Sequence, residues 1–280
     1  MTRGNVLKLT MLAFVAAGLT GCPSAGIYRS AKTLEPGVGD FNTNFNFTKI
    51  SQKQKIPTVD EDTGEITTRE EDLSFTFPNV LGEYAYHIGI AENVEVGGRL
   101  ALGSGLMELD VKYRFIGSDD SKLHVAINPG IGYRSFGLVD GTSVNVPLLL
   151  TYELTSVLSV TVGGFANMSF LDSAIEGEDS DSPNLGGNTQ SFGGAAGIMI
   201  SGDTFFLYPV VEFGTISASS DDEDDESGDS ETTFETQYMQ VGLNIGVVYG
   251  RELQAIKKMD EKMDKKLDSI DKKLDKALEK

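Results

Sequence analysis

From Gly39 to Gly250 apolar and polar residues alternate with a period of two, in runs longer than an ordinary sheet needs. "LMELDVKYRFI" shows it most clearly: Met107, Leu109, Val111, Tyr113 and Phe115 fall on one face, Glu108, Asp110, Lys112 and Arg114 on the other. Successive side chains of a strand point to opposite faces, so each such run reads as a strand with one apolar and one polar side. "DFNTNFNFTK" sets Phe41, Phe45 and Phe47 against Asn42, Asn44 and Asn46. "VEVGGRLAL", "LHVAINPGIGY" and "VNVPLLLTYEL" repeat the design. The pattern predicts ten strands, near 39–50, 77–90, 94–103, 106–117, 122–136, 143–154, 157–171, 190–201, 204–217 and 233–250. Strands of soluble sheets average about five or six residues; a strand that crosses a bilayer needs about 9–11.

The connections narrow the architecture. The first (51–73), seventh (172–189) and ninth (218–232) read as long loops, whereas the even-numbered ones are short turns around "AEN", "GSDDS", "LTS" and "SGDT". Short turns at one end and long loops at the other are the habit of up-and-down barrels in membranes. This layout puts both chain ends on the short-turn side. The three long segments carry −17 of the net charge of −19, so the acidity belongs to one end of the molecule. Such a balance excludes nucleic acid, which needs a basic footprint. In the ninth segment Asp221, Asp222, Glu223, Asp224, Asp225 and Glu226 make a possible weak site for divalent cations. The spacing is not that of an EF-hand, and a solvated acidic loop is the plainer reading.

The amino terminus is a separate device. Arg3 and Lys8 precede the apolar run Leu9–Leu19. That run is shorter than the about 20 residues of a spanning helix and suits a secretory signal. It ends in Leu19-Thr20-Gly21-Cys22, the only cysteine of the chain. A single cysteine excludes an internal disulfide and a cysteine-rich zinc site. The sequence Leu-Thr-Gly-Cys resembles the lipobox of bacterial lipoproteins. The resemblance implies cleavage before Cys22 and lipid on its sulfur and new amine; several acyl chains on one residue anchor stably. Residues 39–250 as a whole resemble bacterial outer-membrane β-barrel proteins. Their last strand, "QVGLNIGVVY", is similar to the terminal assembly signal of that class, with Tyr249 in the place of the final aromatic. The resemblance implies an outer-membrane location, with periplasmic termini and extracellular acidic loops.

The organisation expected is therefore a signal peptide (1–21), a lipidated linker (22–38), a ten-stranded antiparallel up-and-down transmembrane β-barrel (39–250) and an amphipathic helix (251–280). In that tail Ile256, Met259, Met263, Leu267, Ile270, Leu274 and Leu278 are spaced 3, 4, 4, 3, 4, 4, a helical stripe with an eleven-residue repeat. It suits self-association, a periplasmic partner or a frayed end.

The polar face of the strands holds Glu83, Glu95, Arg99, Glu108, Asp110, Lys112, Arg114, Arg134, Glu153 and Glu212. In a ten-stranded barrel this face lines a narrow lumen, where opposite charges pair. His87 and His124 share that face; a hydrogen-bonded lumen position suits them better than a general base, because no nucleophile motif accompanies them. The sequence carries no cofactor motif. The function expected is non-catalytic, structural or surface-interacting, in the cell envelope. A narrow channel for small solutes or ions, a lipid-anchored soluble periplasmic β-protein and an enzyme at the outer rim are the alternatives.

Overall fold

The computed structural model describes residues 29–59, 66–136, 139–173, 187–220 and 232–278. It contains β1 (Gly39–Val59), β2 (Ile66–Ala91), β3 (Val94–Ala101), β4 (Leu106–Ile116), β5 (Leu123–Ile127), β6 (Gly130–Phe136), β7 (Val139–Glu153), β8 (Leu158–Ser173), β9 (Gly187–Ser201), β10 (Phe205–Ser220), β11 (Thr232–Tyr249) and α1 (Arg251–Leu278). Among the described residues every strand pairs antiparallel with its neighbours. The sheet closes on itself where β1 meets β11, from Gly39↔Tyr249 to Ser51↔Gln237. β5 and β6 form one stave, broken at Asn128-Pro129, because proline offers no N–H to a sheet ladder. Both pieces pair with β4 on one side and β7 on the other. The ring thus has ten staves, as the alternation predicts.

The barrel is apolar outside and polar inside. Leu109 is 70% exposed on the outer surface, and Asp110, the next residue, is 6% exposed. Phe41, Phe45, Phe47, Met107, Val111 and Tyr113 share the outer face, while Asn42, Asn44 and Asn46 are buried within. A soluble protein does not display a continuous apolar belt of this kind; a bilayer covers it. The fold is that of an outer-membrane β-barrel.

The first connection differs from expectation. Residues 51–73, read above as a loop, belong largely to a hairpin: β1 runs on to Val59, β2 starts at Ile66, and they pair through Val59↔Ile66. The register sets Lys53 opposite Asp72 and Lys55 opposite Glu70. β3 accompanies β2 only as far as Glu83↔Ala101, so the hairpin rises past its neighbour. A bulge between Asn44 and Asn46, with Gly82 at φ 70°, lies where β2 parts from β3. β7 begins at Val139, four residues before the expected start.

Inside, the lumen has two unlike halves. β7 to β11 contribute Leu149, Phe165, Phe206, Tyr208, Val210 and Tyr238, all buried. Some of these rings rest on glycines of the adjoining strand. A Cβ on Gly246 would lie 2.2 Å from the Phe206 ring, and one on Gly197 would lie 2.5 Å from the Tyr208 ring. Small residues beside large ones let the narrow tube fill without voids. β1 to β6 contribute the charged half.

After Gly250 (φ 89°) the chain turns into α1. Arg251 Nη1 donates to the carbonyls of Gly202 (3.3 Å) and Asp203 (3.0 Å), fixing the helix root to the β9–β10 turn. Among the described residues no helix is long and apolar enough to cross a membrane.

Candidate functional site

The charged half of the lumen is bound together by an element outside the barrel wall. Residues 29–38 enter the mouth at the short-turn end, before β1 begins. There Arg29 pairs with Glu95 of β3, with Asp110 of β4 (3.5 Å) and with Asp40 of β1 (3.8 Å). Backbone groups of the segment are held as firmly. Lys112 Nζ donates to the carbonyls of Ser30 (3.1 Å) and Lys32 (3.0 Å). The Ala31 amide donates to Thr151 Oγ1 (2.8 Å) and the Leu34 amide to Glu95 Oε2 (3.0 Å). Lys32 reaches Glu153 at 2.8 Å. At the rim the Gly37 amide donates to the Gly89 carbonyl, and the Gly89 amide to that of Val38. Sealed polar groups are costly unless partnered, and here the lead-in adds partners to those the wall supplies.

The remaining charges form a chain up the lumen. His87 lies between two carboxylates, Nδ1 at 3.0 Å from Asp40 and Nε2 at 3.4 Å from Asp110. Lys112 Nζ is 2.9 Å from Glu95. Arg99 bridges Glu108 (3.0 Å) and Glu83 (3.5 Å). Arg114 turns to the rim, donating to Asn93, the Glu92 carbonyl and Asp119. His124 Nε2 is 3.6 Å from Glu153, which is partly exposed. On the opposite wall Tyr238 donates to Glu212 Oε1 at 2.8 Å. Arg134 is buried on β6, level with Leu106 of β4. The gap between Arg29, Glu83, His87, Arg99, Glu108 and Asp110 is about 20 Å³, room for a water molecule.

The structure therefore brings Glu83, Arg99 and Glu108 into one contact group, and Glu95, Asp110 and Lys112 into another around Arg29. It sets Arg114, Glu153 and Glu212 apart from both. Cys22 and the acidic run Asp221, Asp222, Glu223, Asp224, Asp225 and Glu226 lie outside the described residues. Sequence reading overlooked Arg29, Lys32 and Asp40. Asp40 was within reach, since it shares the parity of Asn42 and Asn44; the lead-in has no alternation to give it away.

Asp40, His87 and Glu95 place donor atoms within 4.8 Å of one another, a spacing that would admit a metal ion. The Arg29 guanidinium pairs with two of the three. The cluster is already served by a cation of the chain itself, so its donor set fits an ion-pair network better than a metal centre.

No family model and no curated protein matches the chain. Among solved structures it is similar to the outer-membrane protease OmpT from Escherichia coli, with 10% identity, a TM-score of 0.36 and coverage of 79% of this chain and 99% of that one. It is also similar to Ail, the attachment invasion locus protein of Yersinia pestis (9% identity, TM-score 0.31, 76% of this chain and 99% of that one). A third is the outer membrane protein OprG from Pseudomonas aeruginosa (11% identity, TM-score 0.27, 79% and 99%).

Proposed function

We propose that this chain is a closed, non-catalytic barrel lipoprotein of the bacterial outer membrane, with a structural or surface-interacting role in the envelope. The observation that carries the reading is the lumen: buried ion pairs fill one half, aromatic side chains set among buried polar ones fill the other, and residues 29–38 stop the short-turn mouth. A conducting pore needs a continuous wet path, which a narrow ten-stranded tube packed in this way does not offer. The apolar outer belt supports membrane insertion by the strands themselves. In this reading lipid on Cys22 is a second anchor on the short-turn side, close to the lead-in. The acidic loops face outward and repel anionic surfaces.

The test is conductance of the purified full chain in planar bilayers, together with the outer-membrane fraction of cells making Cys22→Ala. The proposal expects an electrically silent protein that stays in the membrane without its cysteine and changes gel mobility on boiling. Discrete single-channel steps would instead support the narrow channel. Release of Cys22→Ala into the soluble fraction, with no heat shift, would favour a lipid-anchored soluble protein.

A further inference from the structure

Among the described residues the apolar stripe of α1 has no partner. Ile256, Met259, Met263, Leu267 and Ile270 are each 52–64% exposed, although the helix root is fixed to the barrel by Arg251. A helix of 28 residues is about 42 Å long, and a helix that buries nothing is marginal in water.

What would cover the stripe is written in the charges beside it. Consecutive helical residues are about 100° apart, so the residues before and after a stripe position lie on its two flanks. Reading along the sequence, the order is Lys258-Met259-Asp260, Lys262-Met263-Asp264, Lys266-Leu267-Asp268 and Lys273-Leu274-Asp275. At these four positions one flank of the stripe is lysine and the other aspartate, in the same sense; Asp271 and Glu279 extend the acidic flank, and Lys257, after Ile256, is its one basic residue.

Such a helix is complementary to its own copy in one orientation. Two copies facing each other in parallel set the lysine flank of each against the aspartate flank of the other, on both sides of the seam. Turned antiparallel, they set lysine against lysine and aspartate against aspartate. Flanking charges of this kind choose the orientation of helical pairs more than they add affinity. A ring of parallel copies satisfies the same rule at every contact. The barrel adds a second constraint: copies inserted the same way in one membrane present their helices from the same level and in the same direction.

We propose that α1 is a self-association element, packing in parallel against α1 of further copies of this chain. The eleven-residue repeat gives the assembly a right-handed supercoil. The inference is independent of what the barrel does.

The test uses the full chain in native outer membranes, with single cysteines added by Met259→Cys, Met263→Cys, Ile270→Cys and, on the opposite side of the helix, Lys265→Cys. The parent chain controls for Cys22, and gel mobility before and after boiling checks that each barrel is folded. Mild oxidation is expected to link Met259→Cys, Met263→Cys and Ile270→Cys each to its own kind, and to leave Lys265→Cys at the parent level. Adding Lys262→Asp and Lys266→Asp to the Ile270→Cys chain is expected to lower the linked fraction several-fold. The proposal fails if no stripe cysteine links above the parent, if only one of the three does, as an antiparallel pair would, or if Lys265→Cys links equally well. It fails also if the products have the mass of the chain plus a different protein.

Discussion

Arg29 and Glu95 meet in the short-turn mouth of the barrel, a guanidinium from the lead-in against a carboxylate from β3, with side chains 8% and 0% exposed. The same guanidinium serves Asp40 and Asp110, so one residue from outside the wall holds three of its strands together.

Removing that cation leaves three sealed carboxylates short of a partner. Breaking a buried pair by deleting one member typically costs about 3–5 kcal/mol. Arg29→Ala is therefore expected to lower the midpoint of urea unfolding in detergent, followed by the gel shift of the folded barrel. Arg29→Lys should recover only part of the loss, because an ammonium cannot fork between three acids. An unchanged midpoint for Arg29→Ala would show that the lead-in does not stabilise the wall.

The outer belt makes the opposite demand. Among the described residues Leu109 is the most exposed large apolar side chain, and arginine on the lipid face of a barrel costs about 2–4 kcal/mol near the bilayer midplane. Leu109→Arg is expected to fold poorly into phosphatidylcholine vesicles while remaining competent in detergent micelles. Equal yields in both would mean that β4 does not meet lipid at that level.

The contact between Gly246 and Phe206 tests the packing of the apolar half. A methyl group on Gly246 would collide with the ring, and overpacking of this kind costs about 1–3 kcal/mol. Gly246→Ala is expected to destabilise the barrel, and Phe206→Leu in the same chain to recover much of the loss. If the double variant is as weak as the sum of the single ones, the ring is not what the methyl group meets.

Some of this architecture stood in the sequence and some did not. The run Met107–Phe115 announces its faces because each residue obeys one rule, parity, and the lipid and lumen impose opposite polarity on the two sides. The same rule misses Leu149 and Phe165. They are inward and apolar, and in "PLLLTY" three leucines in succession hide which face is which. The break at Asn128-Pro129 was visible as a proline but was absorbed by the alternation on either side. The lead-in was illegible for a different reason. The Ala31 amide finds its acceptor 120 residues away, on Thr151, and contacts of that range leave no trace in local periodicity. The tall β1–β2 hairpin was lost because its polar composition reads as loop.

The seam between β1 and β11 sets the order in which the molecule can be assembled. Most other joints link neighbours in the chain and can form hairpin by hairpin, but Gly39 must wait for Tyr249. Until that joint forms, the sheet is open and Asp40, Glu95, Asp110 and Lys112 stand in water. Loss of hydration by these groups is therefore concentrated in one late event, the closing of the ring, with Arg29 already attached one short step upstream of the first strand. The slowest stage of folding is expected there, where distant contacts are made and charges lose their solvent together.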